Sequence, residues 1–274
     1  MTLLINNDDV RRVLTMTETM QALEQAYADL FSSEATCRPR IDIQIPTPDE
    51  NKVYQWGTME GGSRRGYFAI RMKSDIMTQV DRGGVATEEK YCVRPGRWCG
   101  IILLTSVENA EPLAILNDGI LQHMRVGADG GIGVKYMARQ NAEVVGLLGS
   151  GGMARSHMEA FVQVRNIKKV QVFSPTRANR ERFAGEIREI FGVEAVVCDA
   201  PEQVYRGADI LAALTDATEP VTDGSLVESG THIVVIGGSG SPDRALLDKI
   251  DVSLRFGNAP QPWGLPEFGK GRSH

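Results

Sequence analysis

Glu143-Val-Val-Gly-Leu-Leu-Gly149-Ser150-Gly151-Gly152-Met153-Ala154 decides how this chain is read. A short apolar run ends abruptly in glycines and passes into a helix-forming stretch. A βα unit that cradles a dinucleotide pyrophosphate has this form in sequence. Gly149 allows the tight turn, and Gly151 lacks the Cβ that would keep backbone away from the phosphates. Ala154 stands where a third glycine usually lies and still lets helix pack on strand. Ser150, Gly152 and Met153 complete the turn, and the helix that follows would aim unpaired N–H groups at the pyrophosphate.

Strands and helices alternate from this point onward. Apolar runs at 169–174, 194–199, 209–215 and 232–238 read as strands, with a charged amphipathic helix over 178–190. Such alternation implies right-handed crossovers and a Rossmann-type, doubly wound parallel sheet with helices on both faces. Ligands of these sheets sit at the carboxyl ends of the strands, which here are Gly149, Ser174, Thr215 and Gly237.

The end of the second strand bears on which dinucleotide is taken. An NAD-binding unit carries an acidic residue there for the ribose 2′-hydroxyl. Here the strand ends Val172-Phe-Ser174-Pro-Thr176-Arg177, with Arg180 one turn on and no carboxylate. Hydroxyls and a guanidinium suit a 2′-phosphate, so the sequence favours NADP(H) over NAD(H). The bland alternative is that Arg177 and Arg180 form a solvated helix face.

The first half reads as α+β. Thr15-x-x-Glu18 is a capping box, and Met20, Leu23, Ala26, Tyr27, Leu30 and Phe31 follow it at helical spacing. Ile41, Ile43 and Ile45 alternate as in a half-buried strand, and further strands are expected over 52–59, 66–73 and around the turn Glu108-Asn-Ala-Glu111. Residues 76–98 read as a long polar loop, and a helix over 119–139 joins the halves. The expected division is an α+β substrate-binding and dimerisation domain over 1–120 and a dinucleotide-binding domain over 121–274.

Bulk properties narrow the partners. The chain has 274 residues, 42% of them hydrophobic and 24% charged, with net charge −5 and pI about 5.5. That is the composition of a globular protein with no nucleic-acid partner. The four cysteines have no C-x-x-C spacing, no leader segment is visible, and no apolar run is long enough for a membrane span, so a cytoplasmic protein with reduced thiols is expected. The four histidines lack metal-ligand spacing, so no metal is expected.

Three arginines of the first half, Arg40, Arg71 and Arg125, are candidates for gripping a carboxylate, because a guanidinium fork matches its geometry. The plain alternative for each is a surface arginine. The order of the pieces adds to this. Arg38-Pro-Arg40-Ile-Asp-Ile, Ala69-Ile-Arg71-Met-Lys73, Pro112-Leu-Ala-Ile-Leu116, Leu121-Gln-His-Met-Arg125, the glycine turn, Thr215-Asp-Ala-Thr-Glu-Pro220 and Ile233-Val-Val-Ile-Gly237 follow one another. In that order the chain resembles the ornithine cyclodeaminase/μ-crystallin family over nearly its whole length.

The resemblance implies a homodimer built on the first half, and NAD(P)-dependent hydride exchange at the carbon of a C–N bond in a small imino, ketimino or α-amino acid. By it, Arg40 and Arg125 match carboxylate-binding arginines, and Arg71 stands where many members carry a lysine. Lys73 is then a polar helper, and Asp216, near a catalytic aspartate of the cyclodeaminases, a candidate for proton transfer. An ornithine cyclodeaminase-type lyase that recycles NAD, and a non-catalytic nucleotide-binding relative, are the alternative readings. Several features depart from the family: arginine at 71 is a poor general base, glycines cluster in Arg125-Val-Gly-Ala-Asp-Gly-Gly131, where they weaken a helix or admit a ligand, and the chain ends soon after Phe256-Gly-Asn. Typical members continue into a segment that returns to the first domain.

Overall fold

The computed structural model describes residues 1–91, 100–236 and 242–254. The first half runs β1 (Leu3–Ile5), α1 (Asn7–Val13), α2 (Met16–Phe31), β2 (Ala35–Cys37), β3 (Ile41–Pro46), β4 (Lys52–Ser63), β5 (Tyr67–Asp81), β6 (Ala86–Tyr91), β7 (Gly100–Ser106) and β8 (Pro112–Asn117). Then follow α3 (Asp118–Met137), β9 (Val144–Leu148), α4 (Gly152–Val164), β10 (Lys169–Phe173), α5 (Arg177–Phe191), β11 (Glu194–Val197), β12 (Ile210–Ala213), β13 (His232–Val235) and α6 (Arg244–Leu247).

Helix α2 starts where its capping box predicts. The Thr15 hydroxyl accepts from the Glu18 amide, and the Glu18 carboxylate accepts from Thr15 N–H at 2.9 Å. The first sheet has eight strands in the order β1-β8-β7-β5-β4-β2, with β3 on β4 and β6 on β5. All pairs are antiparallel except β1 with β8, which gives the mixed sheet expected of this half.

Two expectations fail here. Residues 76–91 are not a loop: β5 continues to Asp81, turns through residues 82–85 and returns as β6. The polar side chains misled, because a hairpin standing away from the core needs no apolar face. The remainder of the expected loop, residues 92–98, lies outside the described residues. Strand β3 is not half-buried either: Ile41, Ile43 and Ile45 are 44%, 51% and 52% exposed.

The second sheet is the Rossmann-type one, all parallel, in the order β11-β10-β9-β12-β13. Val145, Leu147, Val170, Val172, Ile210 and Ala212 pack against Met158 and Phe161 of α4 and Phe183 and Ile187 of α5. The opposite face differs from expectation. Leu148 and Leu211 are covered by Val204 and Tyr205 of a short 3-10 helix, Pro201–Tyr205, rather than by an α-helix. Gly146 permits that close cover, since a Cβ there would stand 2.2 Å from the Val204 carbonyl oxygen.

Helix α3 survives its glycines because α4 presses on them. A Cβ on Gly127 would meet the Ser156 backbone at 2.5 Å, and one on Gly131 would meet Ala160 Cβ at 2.7 Å. They are seats for a neighbouring helix, which excludes the reading that they admit a ligand. Just past the end of α3, Arg139 pairs with Asp209, whose other oxygen accepts from the amides of Glu143 and Val144 at the start of β9.

Candidate functional site

The glycine turn has the geometry that its sequence requires. Gly149 has φ +119°, a conformation L side chains rarely adopt, and a Cβ there would stand 2.2 Å from the Leu214 carbonyl oxygen. Gly151 caps α4 with no side-chain hydrogen bond to the helix, and among the described residues a Cβ on it would meet nothing within 4 Å. The first amides of α4 therefore look onto open space, which is where an anion binds a helix N-terminus. Ala154 is fully buried in the core beneath, and Met153 packs at its margin. Ser150 donates from its hydroxyl to Ser174 at 2.9 Å, tying the turn to the end of β10. These residues have the backbone geometry that a dinucleotide pyrophosphate requires.

At the ribose end the two arginines divide. Arg180 is buried: it donates to the Ser174 carbonyl at 2.8 Å and stacks 5.1 Å from the Phe173 ring. Arg177 is 69% exposed; it donates to Glu181 at 2.7 Å and lies 3.7 Å from Asp199. Asp199, at the end of β11, is a carboxylate that the reading of β10 alone did not include. Thr215 lies just past β12, its hydroxyl accepting from the Ala217 amide at 3.2 Å. Gly237 lies outside the described residues.

On the first sheet Arg71, Lys73 and Asp75 are buried at alternate positions of β5, hence on one face. Lys73 stands in a row with Asp42 of β3, Gly57 of β4 and Gly100 of β7. Gly57 makes room beside it: a Cβ there would stand 2.3 Å from Asp42 Oδ1 and 3.2 Å from Arg40 Nε. Arg40 itself donates to Asp42 at 2.8 Å. Lys73 pairs with Asp75 at 2.5 Å. Burial pushes its ammonium down to about 8, helped by the Arg71 and Arg40 charges and opposed by Asp75.

Arg71 is held from above by α3. Its Nε donates to Asp118 at 2.8 Å and its NH2 to Gln122 at 2.9 Å, leaving NH1 3.7 Å from Met59 Sδ. It offers an incoming carboxylate one corner rather than a two-pronged fork. The residue after Gln122 reaches the other sheet's site: a Cβ on Gly152 would stand 2.9 Å from His123 Nε2. Burial keeps the His123 imidazole below its ordinary range, and so neutral near pH 7.

The remaining candidates lie apart from this cluster. Arg125, one turn past Gln122, is 3.7 Å from Asp129, which accepts from the Tyr27 hydroxyl at 2.6 Å. Burial raises the Asp129 carboxyl above its usual range. Asp216 sits under β6: its carbonyl accepts from the Glu88 amide at 2.9 Å. Burial raises its carboxyl too, opposed by Lys90 and reinforced by Glu89. The structure thus gathers Arg40, Arg71 and Lys73, whereas Arg125 pairs with Asp129 and Asp216 lies against β6. Sequence reading missed Asp118, Gln122 and His123. Their signal was the four-residue spacing of Asp118 and Gln122 on the helix expected to join the halves. Among the described residues no group of His, Cys, Asp and Glu could hold a metal, and no helix is long and apolar enough to cross a membrane.

An open glycine turn on a parallel sheet beside buried cations of a second sheet defines a dinucleotide-dependent class of protein. The family model of the ornithine cyclodeaminase/mu-crystallin family matches residues 84–257. A Delta(1)-pyrroline-2-carboxylate reductase of Bacillus cereus is 37% identical over 235 residues, covering 86% of this chain and 68% of the relative. The chain belongs to this family. An alanine dehydrogenase of Archaeoglobus fulgidus is 27% identical over 90% of this chain and 70% of its own length. Among solved structures, Thermococcus litoralis Delta(1)-pyrroline-2-carboxylate reductase in complex with NADH and L-proline aligns with TM-score 0.72 at 25% identity, over 86% of this chain and 69% of that one.

Proposed function

We propose that this protein is an NAD(P)H-dependent reductase of a small imino acid, adding hydride to the C=N carbon and a proton to its nitrogen, with amino-acid oxidation as the reverse. The observation that carries this reading is the placement of consecutive residues of α3: Gln122 on Arg71 and His123 against Gly152. It supports the reading because one turn of α3 touches both Arg71 of the first sheet and the glycine turn of the second. The nicotinamide cofactor supplies the hydride when bound.

The chain's own residues do the rest. Arg71, with Arg40 beside the same cluster, attracts the substrate carboxylate, and Arg125 on α3 is a further candidate for that role. Lys73, with its ammonium held near pH 8, is the proton donor to nitrogen, a task arginine at 71 cannot perform. Asp216 is the lesser candidate for proton transfer, since it lies under β6. For the cofactor, Arg177 supports NADP(H) over NAD(H), while Asp199 beside it moderates that preference. The exposed row Ile41, Ile43 and Ile45 supports a homodimer through the first half. Its relatives, named for reduction of a cyclic imino acid, suggest the first substrate to try.

The test is to mix the protein with NADPH or NADH and Delta(1)-pyrroline-2-carboxylate and follow nicotinamide absorbance. Stoichiometric loss with proline formed is expected. Ammonia released from a diamino acid without net absorbance change would favour the lyase, and nucleotide binding without turnover on any imino or amino acid would favour a binding protein.

A further inference from the structure

The β5–β6 hairpin does not belong to the packed core of the first sheet. Its far edge instead hydrogen-bonds to the second. The Glu88 amide donates to the Asp216 carbonyl at 2.9 Å, the Thr218 amide donates to the Ala86 carbonyl at 2.9 Å, and Thr87 and Ala217 form an antiparallel bridge. This anchors the hairpin just past the carboxyl end of β12. Its tip reaches elsewhere: a Cβ on Gly83 would stand 4.0 Å from Pro175 Cβ, in the turn after β10. In the second sheet β9 lies between β10 and β12. A hairpin that touches the turns after both flanking strands therefore passes over the turn that follows β9, which is Gly149–Gly152. Space remains beneath it, since a Cβ on Gly151 would meet nothing within 4 Å.

We propose that this hairpin is the outer wall of the dinucleotide site, a strap that must lift before cofactor enters or leaves. The inference rests on the cofactor reading above and goes beyond it. The strap's charges are spent within it: Arg82 pairs with Glu89, and Lys90 with Glu88 at 3.0 Å. Its hold on the second sheet is the main-chain hydrogen bonds above and one from the Thr218 hydroxyl to the Ala86 carbonyl at 3.2 Å, so it restrains NADH and NADPH alike.

Two Cβ atoms at this separation suit a disulfide. The double variant Gly83→Cys, Pro175→Cys is oxidised with and without NADPH, and the cross-link is located by peptide mass, because the chain has four other cysteines. Nucleotide exchange is read by nicotinamide fluorescence in stopped flow, without substrate. Closing the link is expected to slow entry into the empty protein and exit from the loaded one by roughly tenfold or more, with dithiothreitol restoring both. Glu88→Pro, which removes the amide donor to Asp216, is expected to speed exit about two- to tenfold, the equivalent of one net hydrogen bond. A cross-linked protein that exchanges nucleotide at the reduced protein's rate would overturn the strap and leave the cofactor reading standing. Failure of the link to form under oxidation would likewise overturn the strap. Absence of dinucleotide binding in the reduced protein would overturn both.

Discussion

Arg71 and Asp118 form an ion pair at 2.6 Å in which the side chains are only 10% and 3% exposed. Helix α3 thus begins with a carboxylate pinned to the first sheet, and its next turn carries Gln122 to Arg71 and His123 to the glycine turn. The pair registers one sheet against the other, and it also sets how much charge Arg71 can show a substrate.

Breaking that pair from one side leaves a buried charge without its partner, which costs far more than the pair itself contributes. Asp118→Leu is expected to destabilise the protein by about 3 kcal/mol in urea denaturation. The double variant Arg71→Met, Asp118→Leu should recover much of that loss. Additive losses would mean that the two residues do not act as a pair.

The two glycines of the turn should separate fold from binding. Gly149→Ala forces a side chain into a left-handed backbone and onto the Leu214 carbonyl, so the folded protein is expected to lose stability. A Cβ at Gly151 meets no described atom within 4 Å, so the melting temperature of Gly151→Val should hold while dinucleotide affinity collapses, because the branched side chain fills the pyrophosphate's place. Wild-type nucleotide affinity in Gly151→Val, measured by calorimetry, would remove the cofactor assignment.

The turn was legible because Gly149 takes a left-handed backbone that favours glycine, between a continuous apolar run and a helix. The parallel sheet was legible because buried strands are written as continuous apolar runs such as Val144-Val-Gly-Leu-Leu148. The hairpin β5–β6 was not. Its residues, Asp81-Arg-Gly-Gly and Ala86-Thr-Glu-Glu-Lys, are polar because much of it stands off the core, and polarity without an apolar face is how a loop reads. The glycines of α3 misled for a related reason: close helix contact removes side chains just as ligand approach does, and only the position of α4 tells the two apart. Arg71's partners came from forty-seven and fifty-one residues away, a separation at which local pattern carries no information.

Lys73 should give the reaction its pH dependence. The imine nitrogen needs a proton, and Lys73 can give one only while its ammonium is protonated, below about pH 8. The rate of imine reduction at saturating substrate is expected to fall as pH rises through about 8 and to be flat just below it. Stability moves in the opposite sense. Between the folded value near 8 and the ordinary lysine value of 10.5, the unfolded chain binds the extra proton, so stability rises with pH across that window. Lys73→Met should remove both effects, and a pH–rate profile that Lys73→Met leaves unchanged would return the proton-transfer role to Asp216.

The ribose end makes the sharpest distinction between a binding arginine and a structural one. Arg177 is exposed and able to swing from Glu181 to a 2′-phosphate, whereas Arg180 is buried and held by the Ser174 carbonyl, the Phe173 ring and, at 3.5 Å, Asp199. Arg177→Ala is therefore expected to weaken NADPH binding roughly tenfold and to leave NADH binding nearly unchanged. Arg180→Met should weaken both cofactors together and lower stability by about 2 kcal/mol, because the turn after β10 loses its buried donor. Asp199 works against a 2′-phosphate, lying 3.7 Å from Arg177 and repelling any anion placed there. Asp199→Ala should then shift preference further toward NADPH, and by more at low salt than at high salt, since the carboxylate is exposed and its field is screened. Equal loss of both cofactors in Arg177→Ala would show that this arginine does not read the phosphate. A gain for NADH rather than NADPH in Asp199→Ala would show that this carboxylate does not oppose a 2′-phosphate.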